Sequence, residues 1–465
     1  MKLKFLLLLS VCTLLWCSGA YAQQWTAQGG VAFSPSSVAL TSMALGKNDT
    51  PYIAYRDLGH NNAASVMKFN GTAWVFVGTP GFSNTISNFD PENSLILKMD
   101  TSGKPYIFFQ DSVAPPFSVM TYNGSSWVYI DSPGIAVTQP QPYSLSMDIA
   151  PNGTPYIAFI DGNHSYAASV YKHTNTGWTS VGPINFTAGG ADNLCLRIDH
   201  SGTPWLAFAD GNVNARLSVQ KYNGSNWILQ GTEGFAYPEF AANAVSMDFD
   251  NSNTPYVAYG DYSNSSNASV KKFVGGAWQA VGDTDFSADK AEYMNIRITS
   301  GGVPVVAYSD KNASYKATAK YFNGSSWVGL GTPDFSAGEA DWVSLAISKT
   351  GVPYIGFVDA PNGHAASVFS FGVPAGISEI NDLTDLSVYP NPNNGSFAVK
   401  LHTTQTDELQ MGLYNMMGQQ VWQDSPISVN GSYTQTINVA GLSQGVYMLR
   451  IQSQNGIESR KIEIK

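Results

Sequence analysis

The chain has 465 residues, of which 43% are hydrophobic and only 12% charged, and its formal net charge is −10. This composition excludes an intrinsically disordered protein, because disorder requires low hydrophobicity together with high charge. The acidic net charge argues against a nucleic-acid partner, because a negative surface repels the phosphate backbone.

The first 22 residues have the pattern of a secretory signal peptide. Lys2 and Lys4 precede an apolar run from Phe5 to Trp16, and Ala20-Tyr21-Ala22 fits the small-residue rule for cleavage. The mature chain is therefore expected to begin at Gln23. The apolar run is too short to span a bilayer, and no later segment is long and apolar enough, so we expect no transmembrane segment.

After the leader, a short apolar segment that begins with proline recurs about every fifty residues. Its first copy reads PYIAYRD and its last PYIGFVD. The copies begin at Pro51, Pro105, Pro155, Pro204, Pro255, Pro304 and Pro353. Each is preceded by a segment of period two and followed by a polar loop, a third strand, a turn and a strand marked by tryptophan. Four strands in a unit of this length are typical of a propeller blade.

The tryptophan strands predict how the ring closes. They are marked by Trp25, Trp74, Trp127, Trp178, Trp227, Trp278 and Trp327. The first stands before the first proline strand, and no tryptophan strand follows the last proline strand. Gln24–Gly29 is therefore expected to complete the last blade and leave no open sheet edge. We expect seven blades; a different number, through misread ends, is the alternative.

A different pattern begins after Phe371. It contains LSVYPNPNNGSF from Leu386, GLYNMMGQQV from Gly412, GLSQGVYMLRI from Gly441 and a final KIEIK. Alternating strands and turn residues predict a small antiparallel sandwich. The four blocks, in this order, resemble the type A sorting domains of the type IX secretion system. The motif residues are Tyr389, Pro390, Asn391, Pro392, Gly395, Gly418, Gly445 and Tyr447.

The expected organisation is all-β: a seven-bladed β-propeller closed by an N-terminal strand, followed by a small Ig-like β-sandwich. The expected boundaries are 1–22 for the signal peptide, 23–371 for the propeller, 372–383 for a linker and 384–465 for the sorting domain. The resemblance implies export by the type IX machinery, removal of the sorting domain, and a protein that is released or attached to the outer cell surface.

An aspartate ends each proline strand, at Asp57, Asp111, Asp161, Asp210, Asp261, Asp310 and Asp359. These residues could form an acidic ring, but a role needed once per blade favours acceptors for the amides of the next loop. The repeated Phe33, Phe82, Phe186, Phe235, Phe286 and Phe335, with Ile135 in the remaining copy, are expected to fill gaps between blades. Cys195, the one cysteine beyond the leader, is interpreted as a small buried filler.

Function is expected where the repeats differ, on the face that carries the loops after the proline strands. Histidines follow the blade aspartates there, and a closed ring could bring His60 and His364 together. The candidate ligand-binding residues are Asp57, His60, Asp161, His164, Tyr166, Asp359 and His364. Their spacing matches no metal signature, and no cofactor is expected.

No enzyme motif is present. The sequence therefore favours a non-catalytic binding or adhesion protein, expected to be a monomer, whose ligand is a glycan or a surface protein. The alternative is a carbohydrate-active enzyme, a glycoside hydrolase or lyase, which needs a pair of carboxylates. Acids in the blade-linking loops could supply it: Glu233, Glu239, Asp285, Glu292, Asp334, Glu339 and Asp341. A purely structural role is a third possibility.

Overall fold

The structure is a computed structural model that describes residues 24–86, 95–112, 117–131, 142–238, 245–372, 383–415, 420–453 and 457–465. The expected signal peptide, residues 373–382 of the expected linker, Ile135, Glu239 and Gly418 lie outside these residues. Within the described ranges, no helix has the length and apolar character needed to cross a membrane.

Seven four-stranded antiparallel sheets form the propeller, as the repeat predicts. Blade 1 contains β2 (Val38–Leu45), β3 (Pro51–Asp57), β4 (Ala63–Phe69) and β5 (Trp74–Phe76). Blade 2 contains β6 (Leu95–Met99), β7 (Pro105–Gln110), β8 (Phe117–Tyr122) and β9 (Trp127–Tyr129). Blade 3 contains β10 (Pro142–Ile149), β11 (Pro155–Asp161), β12 (Ala167–Thr174) and β13 (Gly177–Ser180).

Blade 4 contains β14 (Ala191–Ile198), β15 (Pro204–Asp210), β16 (Arg216–Tyr222) and β17 (Trp227–Leu229). Blade 5 contains β18 (Val245–Phe249), β19 (Pro255–Asp261), β20 (Asn267–Val274) and β21 (Ala277–Ala280). Blade 6 contains β22 (Ala291–Ile298), β23 (Pro304–Asp310), β24 (Lys316–Phe322) and β25 (Trp327–Gly329). Short 3₁₀ turns lie at Lys47–Asp49, Leu58–His60, Gly211–Val213, Tyr262–Asn264, Lys311–Ala313 and Ala360–Asn362.

Blade 7 joins the two ends of the propeller sequence. It contains β26 (Ala340–Ile347), β27 (Pro353–Asp359), β28 (Ala365–Gly372) and the N-terminal β1 (Gln24–Ala27). Trp25 pairs with Phe371, and the backbone N–H of Gln28 donates to the carbonyl of Val368 at 2.8 Å. The N-terminal strand thus closes the ring, which confirms the expected seven blades.

The repeated aromatic residues join neighbouring blades. Phe82, which follows the outer strand of blade 1, stacks on Trp127 of blade 2 with ring centroids 4.5 Å apart. The indole N–H of Trp127 donates to the carbonyl of Val77 at 2.6 Å. Five further phenylalanine–tryptophan pairs are stacked in the same way: Phe33–Trp74, Phe186–Trp227, Phe235–Trp278, Phe286–Trp327 and Phe335–Trp25.

The innermost strands, β2, β6, β10, β14, β18, β22 and β26, surround a central channel. Small polar side chains on them link each blade to the next: the Ser42 hydroxyl, for example, accepts from the backbone N–H of Leu97 at 3.0 Å. Cys195 replaces serine at this position, is buried, and accepts from the N–H of Met247 at 3.2 Å. This contact agrees with its interpretation as a small buried residue.

The C-terminal region forms a small β-sandwich of β29 (Leu383–Tyr389), β30 (Ser396–Asn415), β31 (Gln420–Gln423), β32 (Ile427–Asn438), β33 (Gly445–Gln452) and β34 (Ile457–Ile464). The long β30 belongs to both layers: its first half pairs with β29 and β32, and its second half with β31 and β33. The buried residues of β30 alternate, as the period of two predicts, and pack against Leu449 and Ile462.

Candidate functional site

The described loops after the second strand, those of blades 1 and 3 to 7, share a pair of successive left-handed residues. In blade 1 the chain passes from Asp57 through a 3₁₀ turn to Asn61 and Asn62, both with positive φ. The residue at the second of these left-handed positions is here called the display position. Its occupants in the described loops are Asn62, Tyr166, Ala215, Ser266, Tyr315 and His364.

The blade aspartates hold these loops in place. Asp57 is fully buried, and its carboxylate accepts from Ser36 Oγ at 2.6 Å, Ser65 Oγ at 2.7 Å and the Gly59 N–H at 3.1 Å. The carboxylates of Asp161, Asp210, Asp261 and Asp310 likewise accept from the backbone N–H two residues later. These contacts match the structural interpretation of the repeated aspartate, because a carboxylate in such a turn satisfies loop amides.

Two predicted histidines contact their own blade aspartates. His60 Nδ1 lies 2.9 Å from Asp57 Oδ2, and His164 Nδ1 lies 2.5 Å from Asp161 Oδ2. The histidine side chains are 43% and 49% exposed. Their imidazoles are therefore accessible at the loop face, whereas the carboxylates behind them are engaged in the fold.

The other predicted residues occupy a display position or support one. Asp359 is buried and accepts from Asn362 Nδ2 at 3.0 Å and Ser367 Oγ at 2.8 Å. The carbonyl of His364 accepts from the N–H of Val38, and that of Tyr166 from the N–H of Ala191. Display residues therefore adjoin the start of the next inner strand, at the loop-face mouth of the channel.

The expected meeting of His60 and His364 does not follow from these contacts. His60 lies against Gly81, so closely that a Cβ added at Gly81 would be 2.5 Å from His60 Cβ. His364, in contrast, adjoins the first residue of β2. In the part of the chain that the structure describes, no three His, Cys, Asp or Glu side chains are grouped so that they could hold a metal ion.

Five of the inner strands, β2, β10, β14, β22 and β26, carry a β-bulge near the mouth. The pairing register shifts between Asp341 and Ser344 in blade 7 and between Glu292 and Asn295 in blade 6. The bulge residue has positive φ at Leu40, Ser144, Asn193, Tyr293 and Trp342. Bulges re-aim side chains next to functional sites, and a left-handed backbone is unfavourable for residues as bulky as Tyr293 and Trp342.

The acids of blades 6 and 7 meet at this mouth. Partial burial, together with Glu339, raises the pKa of Asp341 to about 6; His364 opposes this rise, and Glu292 adds to it. Glu292 is paired with Lys290 Nζ at 3.0 Å. The blade-linking acids named from the sequence therefore include three, at 292, 339 and 341, that interact electrostatically in the folded chain.

Two aromatic residues lie beside these acids. The rings of Tyr293 and Trp342 are 5.9 Å apart at 39°, and both side chains are partly exposed. Trp342 lines the channel, and among the described residues its buried indole N–H has no hydrogen-bond partner. We call this set the acidic mouth: Glu292, Tyr293, Glu339, Asp341, Trp342 and His364.

The sequence prediction did not include Tyr293 and Trp342, although their place in the repeat could have indicated them. They occupy the same repeat position, where the other blades have Leu40, Ser144 and Asn193. A comparison limited to aromatic residues at positions where other copies are not aromatic would have found them. His364 is the predicted residue that the structure brings into the acidic mouth.

The motif residues of the sandwich hold its first loop against its last strand. The side chain of Asn391 donates to the carbonyl of Lys461 at 2.7 Å and accepts from the N–H of Glu463 at 2.8 Å. Gly395 has a φ of +91°, and a Cβ there would lie 2.8 Å from Ala440 Cα. The hydroxyl of the buried Tyr447 donates to the carbonyl of Ser443 at 2.7 Å, and Gly445 pairs with Ile464.

Comparison with known proteins identifies the C-terminal region. Residues 387–465 match the family Secretion system C-terminal sorting domain. No curated protein matches the chain.

Solved structures resemble the propeller at low identity. AofleA from Arthrobotrys oligospora is 10% identical over 67% of this chain and 91% of its own, with a TM-score of 0.41. A mutant of the Aleuria aurantia lectin, in complex with Fucα1-6GlcNAc, is 13% identical over 65% and 97%, with a TM-score of 0.42. The α-L-arabinanase of Penicillium chrysogenum, complexed with arabinobiose, is 9% identical over 76% and 98%, with a TM-score of 0.40.

Such distant likenesses carry no argument about what this chain binds. The C-terminal match does have a consequence, because a sorting domain directs its carrier out of the cell. The chain is a β-propeller protein with a type IX sorting domain, and it is secreted or displayed at the outer cell surface.

Proposed function

We propose that the chain is an exported, non-catalytic binding protein that holds a glycan at the acidic mouth. The observation that carries this proposal is the meeting of an aromatic pair with three interacting carboxyl groups where blades 6 and 7 depart from the repeat. Binding sites combine apolar and aromatic surface with a few polar groups that set orientation. Tyr293 and Trp342 would pack against the apolar face of a sugar ring.

The charge of the mouth restricts the glycan class. Carboxylates accept hydrogen bonds from sugar hydroxyls, and such charge-assisted bonds are stronger than neutral ones. Glu339, near Asp341, would repel uronic acids and sulfated sugars, whereas Lys290 offsets the charge of Glu292. The proposed ligand is therefore a neutral or amino-sugar oligosaccharide.

The test is a glycan array probed with the full exported chain, followed by titration of the best ligand. Trp342→Leu introduces the residue that blade 1 carries at the same repeat position, so the backbone is expected to tolerate it. We expect Trp342→Leu and Asp341→Asn each to weaken binding about tenfold or more, a loss of about 1.4 kcal/mol.

The matched control is Asp192→Asn, which changes the equivalent residue of blade 4. Its affinity should stay within about twofold of the unmodified chain. Equal losses in all three variants would contradict the acidic mouth as the site. Binding of a surface protein with no response on the array would replace the glycan by the protein as ligand.

A second candidate function is cleavage of a carbohydrate by a hydrolase or lyase reaction at the same mouth, and the raised pKa of Asp341 favours it. A carboxyl group with a pKa near the working pH can serve as a general acid, with a second carboxylate as its partner. Incubation with a panel of polysaccharides tests this function. Turnover that Asp341→Asn abolishes and Asp192→Asn preserves would establish the enzyme and overturn the non-catalytic proposal.

We further propose that residues 1–22 are removed at the inner membrane, that 23–371 form the binding module, and that 384–465 are removed after export. The motif residues Asn391, Gly395 and Tyr447 support the last step only by stabilising the sorting fold. The chain is proposed to act as a monomer.

A further inference from the structure

The end of the channel opposite the acidic mouth carries a ring of alternating charge. The ring position is the residue seven before each blade proline, and it lies one residue before the end of the inner strand. In blade order from 1 to 7 its occupants are Ala44, Lys98, Asp148, Arg197, Asp248, Arg297 and Ala346. Five blades thus contribute a charged side chain, and the adjoining blades 7 and 1 contribute alanine.

Both aspartates of this ring are fixed by the neighbouring blade. Asp148 Oδ2 accepts from the N–H of Ile198, and Asp248 Oδ2 from the N–H of Ile298, each at 2.8 Å. Lys98 Nζ lies 3.5 Å from Asp148 Oδ1. In ring order, Arg197 stands between the two aspartates.

Lys98 and Arg297 are the cations with an incomplete set of neighbours. Each has an aspartate on one side in ring order and an alanine on the other. Burial and the nearby Arg197 lower the pKa of Lys98 to about 8 and that of Arg297 to about 10. The three cations and two aspartates leave this ring with a formal excess of one positive charge.

The channel beside the three cations of the ring can hold a ligand. A channel cavity of about 120 Å³ is lined by Lys98, Arg197 and Arg297, and these are its charged lining residues in the described part of the chain. This volume exceeds that of a few water molecules. Asp49, in the turn of blade 1, does not line this cavity; its carboxylate accepts from the backbone N–H of Lys349.

We propose that this end of the channel binds one small monovalent anion, a halide or a carboxylate of the size of acetate, in the cavity lined by Lys98, Arg197 and Arg297. The anion supplies the negative charge that blades 7 and 1 lack. Because the anion contacts cations of blades 2, 4 and 6, it stabilises the closed ring. The site lies at the other end of the channel from the proposed glycan site, and its test does not depend on that proposal.

The test measures thermal unfolding of the full chain in bromide or acetate, at constant ionic strength against bulky gluconate. We expect a saturable rise in the unfolding midpoint of about 2 °C or more for the small anions. An anomalous bromide peak beside Lys98 and Arg297 in a crystal would locate the ion. Absence of a saturable rise, or a bromide peak elsewhere only, would overturn the proposal.

Two variants and one control sharpen the result. Lys98→Met should abolish the response, whereas Lys349→Met, which changes an exposed lysine in the turn of blade 7, should retain it. Ala346→Asp places a carboxylate in the ring and should raise the midpoint in gluconate while abolishing the response. Should Lys98→Met fail to fold, Ala346→Asp decides: an unchanged anion response in this variant would contradict the site.

Discussion

The carboxyl group of Asp341 is partly buried and lies near two other acids, Glu339 and Glu292. Partial burial and Glu339 raise its pKa to about 6, against an ordinary value of 3.8. The folded chain therefore retains a proton on this carboxyl at pH values where the unfolded chain has lost it. Ionised Asp341 destabilises the fold, and this cost is absent below about pH 3.8, grows as the pH rises to about 6 and is constant above that.

We predict that Asp341→Asn stabilises the protein at pH 7.5 but not at pH 3.5. Solvent screening of this partly exposed group limits the gain at pH 7.5 to about 1 kcal/mol. Urea unfolding at the two pH values measures it, with the exposed Asp283→Asn as control. A gain of equal size at both pH values would show that ionisation of Asp341 is not its cause.

Individual residues were predicted from the sequence where the repeat constrains them. The role of Asp57 could be inferred because the same residue type recurs after every proline strand. Trp342 is found only by comparing the repeat copies, because it lies at a bulge that shifts the pairing of β26, and one strand read alone gives no sign of such a shift. Of the acids that raise the pKa of Asp341, Glu339 is only two residues away in the sequence, whereas Glu292 belongs to blade 6 and comes close only in the folded chain.

Among the elements, β1 is the four-residue strand that closes the ring by pairing with β28. Its Trp25 stacks on Phe335 with centroids 4.2 Å apart and donates from Nε1 to the carbonyl of Leu330 at 2.8 Å. The neighbouring turn leaves no room for a side chain: Gly331 has a φ of +72°, and a Cβ there would lie 2.4 Å from the ring of Phe371. The turn after β25 therefore packs closely against β28, the strand with which β1 pairs.

We predict that Trp25→Ala lowers the free energy of unfolding by about 3–5 kcal/mol, the range for removal of a buried aromatic side chain. Loosening of β1 would also expose the edge of β28, so the variant should self-associate. Urea unfolding and light scattering measure the two effects. Gln24→Ala, an exposed position on the same strand, is the control; a loss in Trp25→Ala no larger than in the control would refute closure by this strand.

The strand pattern was predictable because sheets repeat with a period of two and blades with a period of about fifty residues. The offset between the tryptophan and proline strands was enough to predict that β1 joins blade 7. The charged ring of the channel was not predicted from the sequence. Its residues are about fifty positions apart in the chain and become neighbours only when the blades form the ring.

At the scale of the whole molecule, the sandwich and the propeller have separate tasks. Residues 387–465 match a sorting family, and they have a buried core of their own. The acidic mouth and the channel consist entirely of propeller residues. Export and binding should therefore be separable by mutation.

We predict that a chain lacking residues 384–465 stays inside the outer membrane, whereas Trp342→Leu is exported normally. Cell fractionation and mass spectrometry measure both, and the exported unmodified protein should begin at Gln23 and lack the sorting domain. Normal export of the shortened chain would contradict the task assigned to the sandwich. An exported product of full length would contradict only the proposed removal.

The most direct measurement is a crystal structure of the full chain with the oligosaccharide that binds best on the array. We predict one sugar ring against Trp342 and Tyr293, with a hydroxyl group hydrogen-bonded to Asp341. An oligosaccharide seated elsewhere, on the outer strands or between two other blades, with the loop-face mouth of blades 6 and 7 unfilled, would contradict it.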